Sequence, residues 1–296
     1  MHTVFLGTSD FAVAVLRRLA GSAHRPLLVV TRPDRPRGRG RRLASPPAAE
    51  AARELGIEVL QPQSVNHGDA RAAIASARPE VVCVCAFGGL IREPLLSEHL
   101  MLNVHPSLLP RWRGAAPVER AIIAGDVETG VSIMRVVEAL DAGPVCARRA
   151  EPIHRDDTYG ALAPRLQRIA GDLLVEALDD RPPFADQDEA HVTYAEKIGL
   201  AERVLDPART PAELDRVVRA LTPHIGARID RDGSEPLGVC AATIRADVRD
   251  VAPGELATRD GTLLFGAAGG ALELREVKPA GGRAMPAGAF LRGHAL

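Results

Sequence analysis

Val81-Val82-Cys83-Val84-Cys85-Ala86-Phe87 is a run of seven residues without a charged or strongly polar side chain. A strand that is apolar at every position, instead of at alternate ones, has both faces covered, as in a parallel sheet between helical layers. Upstream, residues 3 to 6 read as a strand, and Ser9 can cap a helix carrying Phe11, Val15, Leu16 and Leu19 on one face before Gly21 ends it. Leu27-Leu28-Val29-Val30 reads as the next strand, followed by an alanine-rich helix near 48 to 55, a strand at 57 to 60 and a helix near 69 to 77. Downstream, strands are predicted at 101 to 105, 130 to 137 and 144 to 153, with helices near 117 to 124 and 158 to 178. This rhythm predicts an α/β fold with a Rossmann-like, largely parallel sheet.

The 296 residues exceed one average domain. Residues 179 to 190, DDRPPFADQDEA, lack periodicity and suit an exposed connector. The expected division is therefore a first domain over 1–188, a linker over 189–205 and a smaller second domain over 206–296. In the latter, a helix near 211 to 221 precedes β-like pieces at 227 to 230, 237 to 244, 262 to 265 and 271 to 277, with turn signals at Asp232-Gly233 and Asp260-Gly261. A small OB-like β-barrel or sandwich is the natural expectation there.

Basic and acidic residues number 37 and 38, so no net field draws the whole molecule to nucleic acid or to a membrane. Four cysteines are too few for a disulfide framework, and Cys83 and Cys85 read as packing residues, not metal ligands. No metal site is expected. GTSDF after the first strand lacks the G-x-G-x-x-G spacing of a dinucleotide site, so no nucleotide cofactor is expected either. The sequence opens without a basic, apolar leader and has no apolar run of ~20 residues, from which a cytoplasmic protein is expected. A monomer is the default expectation.

Asn103 and His105 stand two apart at the end of a predicted strand, so their side chains share one side of the sheet. In open α/β sheets that end is where ligands bind. Spacing alone leaves a structural role open for both, and it favours an Asx-type turn for Asp141 in EALDAGP. His99, His154, His191 and His224 have no partner that the sequence identifies.

The stretch NVHPSLLPRWRGAAP at 103 to 117, with GVSIM and LDAGP after it, resembles the folate-dependent formyltransferase family. The likeness extends along the chain through FLGTSDF at 5 to 11, RPDRPRGRGRRL from 32, AFGGLI at 86 to 91, VTYAEKI at 192 to 198 and KPAGGRAM at 278 to 285. The resemblance implies transfer of a formyl group from 10-formyltetrahydrofolate to the amino group of initiator methionyl-tRNA, with Asn103, His105 and Asp141 as the catalytic trio. It implies a tetrahydrofolate site at Ser107, Leu108, Leu109 and Pro110, and a pterin pocket lined by Phe87, Gly88, Leu90 and Ile91. Pro106 stands where glycine is common in the family, and TSDF where TPDF is usual.

The residue types suit that chemistry. An attacking α-amino group has a pKa near ~8 and must lose a proton, which an imidazole titrating near ~6.5 can accept. An adjacent carboxylate supports the imidazolium, and an amide donor can meet the developing oxyanion.

RPDRPRGRGRR at 32 to 42 holds six arginines and one aspartate, with glycines and prolines that argue against regular structure. By composition it is either a solvated loop or a phosphate-binding arm. The resemblance implies the arm, with Arg35, Arg37, Arg39, Arg41 and Arg42 on the acceptor stem of tRNA. Residues 206 to 296 carry twelve basic and twelve acidic side chains, which supports only weak electrostatic binding there. Two other readings stand beside this one: a related enzyme that formylates a small-molecule amine or hydrolyses formyltetrahydrofolate, and an RNA-binding protein with an inactive formyltransferase domain.

Overall fold

The apolar runs of the first half fold as the covered strands that their composition predicts. A computed structural model describes residues 1–37, 42–231 and 233–294, without the side chains of Arg37 and Arg42. The chain opens with β1 (Thr3–Gly7), α1 (Asp10–Ala20) and β2 (Pro26–Val30). Next come β3 (Arg35–Arg37), β4 (Arg42–Ala44), α2 (Pro47–Glu54), β5 (Glu58–Leu60) and α3 (Gly68–Ser76). β6 (Val81–Cys85), α4 (Leu95–Glu98), β7 (Met101–His105), β8 (Arg113–Gly114) and α5 (Pro117–Ala124) follow. β9 (Glu128–Arg135), β10 (Val145–Pro152) and the long α6 (Tyr159–Asp180) complete this stretch.

Seven strands form one sheet in the order β10-β9-β7-β6-β1-β2-β5. From β5 to β7 the pairings are parallel, and β9 joins β7 antiparallel. Every residue of β1 and β6 is buried, which is why neither strand alternates polar with apolar. Val4, Leu6, Leu28, Val30, Val82 and Val84 pack with Ile74 and Leu95 into one apolar cluster.

Two local expectations are corrected. Ser9 stands before α1, but its side chain makes no capping bond; its carbonyl accepts from Val13 N–H, and Asp10 supplies the negative charge that the helix start favours. The arginine-rich segment was expected to lack regular structure, yet β3 and β4 pair antiparallel, with Pro36 opposite Leu43. A two-stranded ribbon consists of edges only, where a proline's missing N–H is tolerated.

The chain divides into two compact units. One comprises Met1–Gly114, Thr129–Pro152 and Ala163–Ala195, the other Ala115–Glu128, Ile153–Leu162 and Glu196–Leu296. Residues 115–128 and 153–162 thus group with the C-terminal residues. Part of the expected linker is also ordered in the first unit, where β11 (Tyr194–Ala195) pairs with β8.

In the second unit, α7 (Pro211–Leu221) begins with a capping box in which Thr210 and Glu213 satisfy each other's backbone N–H groups. Its buried Leu214, Val217, Val218 and Leu221 share a core with Ile229, Leu237, Phe265, Leu272 and Phe290, and Ile123 of α5 packs against it. The strands β12 (Ala227–Arg231), β13 (Ser234–Arg245), β14 (Leu256–Arg259), β15 (Thr262–Ala267) and β16 (Gly270–Lys278) pair antiparallel in the order β12-β13-β16-β15-β14. β17 (Met285–Pro286) adds to β16, and α8 (Ala287–Gly293) contributes the buried Phe290. Register shifts between Val239 and Ala242 mark irregularities in the 12-residue β13, which pairs with β12 and β16. His224, left without a partner by the sequence, bonds Glu119 at 2.8 Å and stacks on Tyr159.

Candidate active site

β7 delivers the first two groups. It lies between parallel β6 and antiparallel β9, with Asn103 opposite Val84 and His105 opposite Ser132. The two side chains therefore reach the same side at the carboxyl end of the strand. Asp141 arrives from the loop between β9 and β10, and its φ of +46° is a left-handed conformation that aspartate tolerates better than most residues.

The three groups meet. Asn103 Nδ2 donates to Asp141 Oδ1 at 3.3 Å, and Asp141 Oδ2 lies 3.6 Å from His105 Nδ1, beyond hydrogen-bond length but within ion-pair range. Oδ2 accepts instead from Gly114 N–H at 2.9 Å. The carboxylate is thus aimed by the backbone and is not the local Asx turn that spacing alone favours. His105 Nε2 lies 2.8 Å from the carbonyl oxygen of Trp112. A carbonyl only accepts, so Nε2 carries the hydrogen, and Nδ1 of the neutral ring holds the lone pair on the side facing Asp141.

Residues that the sequence did not single out hold this arrangement. Gln187 donates from Nε2 to the carbonyls of Asp141, at 2.8 Å, and Gly143, at 2.7 Å. Its Oε1 accepts from Arg113, whose guanidinium also grips Glu189 and holds that carboxyl below its usual range. A Cβ on Gly143 would fall 1.9 Å from Arg135 O, so only glycine permits this close crossing of the loop. Ser132 is fully buried; it donates to Ser107 O at 2.7 Å and accepts from Leu109 N–H at 3.1 Å. Thr193 accepts from Trp112 N–H at 2.9 Å. GVSIM and VTYAEKI carry Ser132 and Thr193, a signal available in the sequence, whereas Gln187 sits in the acidic connector and offers none.

The expected folate residues separate into two groups. Ser107 and Leu109 are buried: Ser107 Oγ donates to Arg111 O, and Leu109 packs on Met134 and Val145, so both shape the loop from inside. Leu108 and Pro110 are half-buried beside them. Phe87 and Ile91 belong to the apolar core, while Gly88 and Leu90 are exposed. A cleft of about 360 Å³ opens at the carboxyl ends of β1, β2 and β6, lined by Thr8, Arg32, Pro46, Ala86, Phe87 and Gly88. Of the expected RNA-contacting arginines, Arg35 is exposed on β3 and lines this cleft, Arg37 and Arg42 lie on the ribbon, and Arg39 and Arg41 lie outside the described residues. Among the described residues no three histidine, cysteine or acidic side chains cluster as metal ligands, and no helix is long and apolar enough to cross a membrane.

Residues 1–178 match the formyl transferase family, and residues 197–295 match the formyl transferase C-terminal domain. The chain belongs to the formyl transferase family. This formyl transferase is 41% identical over 302 residues to the methionyl-tRNA formyltransferase of Methylococcus capsulatus, covering 100% of this chain and 98% of that one. It is 43% identical to the methionyl-tRNA formyltransferase of Halorhodospira halophila, covering 99% and 96% respectively. Among solved structures, the formyl transferase fold matches the N-formyltransferase from Helicobacter canadensis, crystallised with folinic acid and dTDP-3-aminofucose, at a TM-score of 0.66 and 14% identity over 92% of this chain and 98% of that one.

Proposed function

We propose that the protein transfers the formyl group of 10-formyltetrahydrofolate to the α-amino group of initiator methionyl-tRNA, producing the formylated initiator of protein synthesis. The identity of about two residues in five to full-length relatives of that name carries the reading of substrate. The convergence of Asn103, His105 and Asp141 supports the reading of site.

In this reading the attacking amine reaches the formyl carbon in its neutral form. His105 Nδ1 takes the proton that nitrogen sheds as the new C–N bond forms, and returns it to the departing folate nitrogen. The Trp112 carbonyl fixes the ring so that Nδ1 is the working atom. Asp141, beside Nδ1, stabilises the imidazolium between the two transfers. Asn103 Nδ2 supplies the donor for the oxyanion, a role that contributes roughly 3 kcal/mol in comparable sites. Holding donor and acceptor together supplies about 7 to 11 kcal/mol more.

The cleft is lined by Ala86, Phe87, Gly88, Pro33, Pro46 and Pro47 together with Thr8, Ser9, Arg32 and Arg35, a mixed lining that supports placing the flat ring system of the donor against Phe87 and Gly88. We assign to tRNA phosphates the β3–β4 ribbon, on which Arg35 is exposed and whose strands include Arg37 and Arg42, together with the sequence segment that joins them, which carries Arg39 and Arg41. The deciding experiment supplies labelled 10-formyltetrahydrofolate with charged initiator tRNA, charged elongator tRNA, free methionine or an amino sugar. Label on initiator methionyl-tRNA is the expected outcome; label on the amino sugar, or formate release without an acceptor, would replace this reading.

A further inference from the structure

Residues 179 to 190 read by composition as an exposed connector, yet Gln187 within them is only 7% exposed. A buried polar side chain in such a stretch calls for a reason, and the path of the chain supplies one. Ala185 bridges Val145 at the start of β10, and further on Ala195 pairs with Gly114 so closely that a Cβ on Gly114 would fall 2.7 Å from Ala195 O. The segment between them therefore passes both loops that build the site: the one that carries Asp141, and the one from Pro110 to Gly114 whose Trp112 carbonyl meets His105.

Each loop holds a residue in the left-handed backbone region that favours glycine, Asp141 at φ +46° and Trp112 at φ +64°. Such conformations persist only where the surroundings impose them, and here one segment does so. The amide nitrogen of Gln187 donates to the carbonyls of Asp141, at 2.8 Å, and Gly143, at 2.7 Å. Thr193 Oγ1 accepts from Trp112 N–H at 2.9 Å, and the Thr193 carbonyl accepts from Arg113 N–H at 2.9 Å. Arg113 closes a ring of contacts: its Nε donates to Gln187 Oε1 at 3.0 Å, while the next residue, Gly114, donates its N–H to Asp141 Oδ2. The tip of the Asp141 loop, Glu138 to Leu140, is exposed, so core packing does not fix it and these bonds at its base do.

We propose that Gln187 and Thr193 are positioning residues for formyl transfer, a clasp that sets the Asp141 carboxylate in register with the His105 ring. Gln187 acts through Asp141, and Thr193 acts through Trp112 and His105. The proposal rests on the reading of Asn103, His105 and Asp141 as the reacting trio. The separation at stake is the 3.6 Å between Asp141 Oδ2 and His105 Nδ1. In an active site a displacement of about 1 Å can cost roughly a hundredfold in rate, so groups that fix such a separation govern turnover without meeting the substrate.

The test uses the full chain with 10-formyltetrahydrofolate and charged initiator tRNA. Q187E keeps the acceptor for Arg113 but replaces the nitrogen that donates to the two carbonyls; Q187A removes both functions. Each should lose about 10- to 100-fold in kcat with the KM of either substrate within about twofold of the wild type, and melting curves show that each is folded. In a D141N background Q187E should cost less than about twofold more, since a residue that acts through the carboxylate has little left to lose once the charge is gone. For Thr193 the readout is the tautomer of His105, followed by nitrogen NMR of isotope-labelled histidine at a pH where the ring is neutral, with the signal assigned by its absence in H105N. The wild type and T193S should carry the hydrogen on Nε2, and T193V, which lacks the hydroxyl, should show a mixture. Folded Q187E and Q187A with wild-type kcat, or a Q187E loss that persists in full in D141N, would overturn the role of Gln187; a T193V spectrum identical to that of the wild type would overturn the role of Thr193. Failure of the wild type to formylate the tRNA, or normal turnover by D141N, would instead remove the reading of the site, and the proposal with it.

Discussion

Asp141 serves several neighbours with two oxygens, one toward Asn103 and one toward Gly114 N–H and His105. Replacing it by asparagine keeps an acceptor for the Gly114 N–H but removes the charge that, in the proposed mechanism, supports the imidazolium. D141N should therefore stay folded and lose about 10² to 10⁴ in kcat, while the KM for either substrate changes little. Steady-state kinetics with a thermal melt decide it, and near-normal turnover would take the carboxylate out of the reaction. Gly143→Ala acts by another route. Its methyl group would have to displace the Arg135 carbonyl, which should cost about 1 to 3 kcal/mol of stability and lower turnover as Asp141 shifts; urea unfolding measures the first and formylation the second. That Asn103 and His105 share a face was readable from their spacing because a strand fixes it, although spacing left their role open. The approach of Asp141 was not readable, since it depends on a loop closed by Gly143 and tied down by Gln187, two residues remote from the strand pattern.

The elements that sequence reads best are those whose local signals agree. α7 has a capping threonine, Pro211 at its first turn, Glu213 three residues after the cap and a regular apolar stripe, and the helix occurs where these place it. Thr210→Ala should cost about 1 kcal/mol of unfolding free energy by removing the bond to Glu213 N–H, with little effect on catalysis; a shift below a few tenths in chemical denaturation would contradict that account. At α1 the signals conflict with the outcome, because a serine in the right place does not cap. The β3–β4 ribbon was hidden for a different reason. Proline and glycine argue against strands in a sheet interior, and nothing in the residues announces that this pair stands apart from the main sheet. β8 and β11, two residues each, are too short to carry any period.

For the molecule as a whole, the parallel sheet follows from apolar runs whose faces are both covered, and burial also governs its thiols. Desolvation raises the Cys83 thiol to about 12 and the Cys85 thiol further. Raised and buried thiols are poor nucleophiles, so iodoacetamide should label neither cysteine until the protein is unfolded; mass spectrometry of labelled native protein checks this, and rapid modification of either would show that the sheet opens. Composition changes near residue 180, while by contacts the chain exchanges units before and after that point. It crosses between them at 114/115, 128/129, 152/153, 162/163 and 195/196. α5 is the result: a helix encoded early whose Ile123 and Glu119 are held by Arg216 and His224, encoded 93 and 105 residues later. No single breakpoint in the gene can therefore exchange one unit for a homologue's, since a chimera joined at residue 196 would set a foreign α7 against the resident α5, and the two must be inherited together.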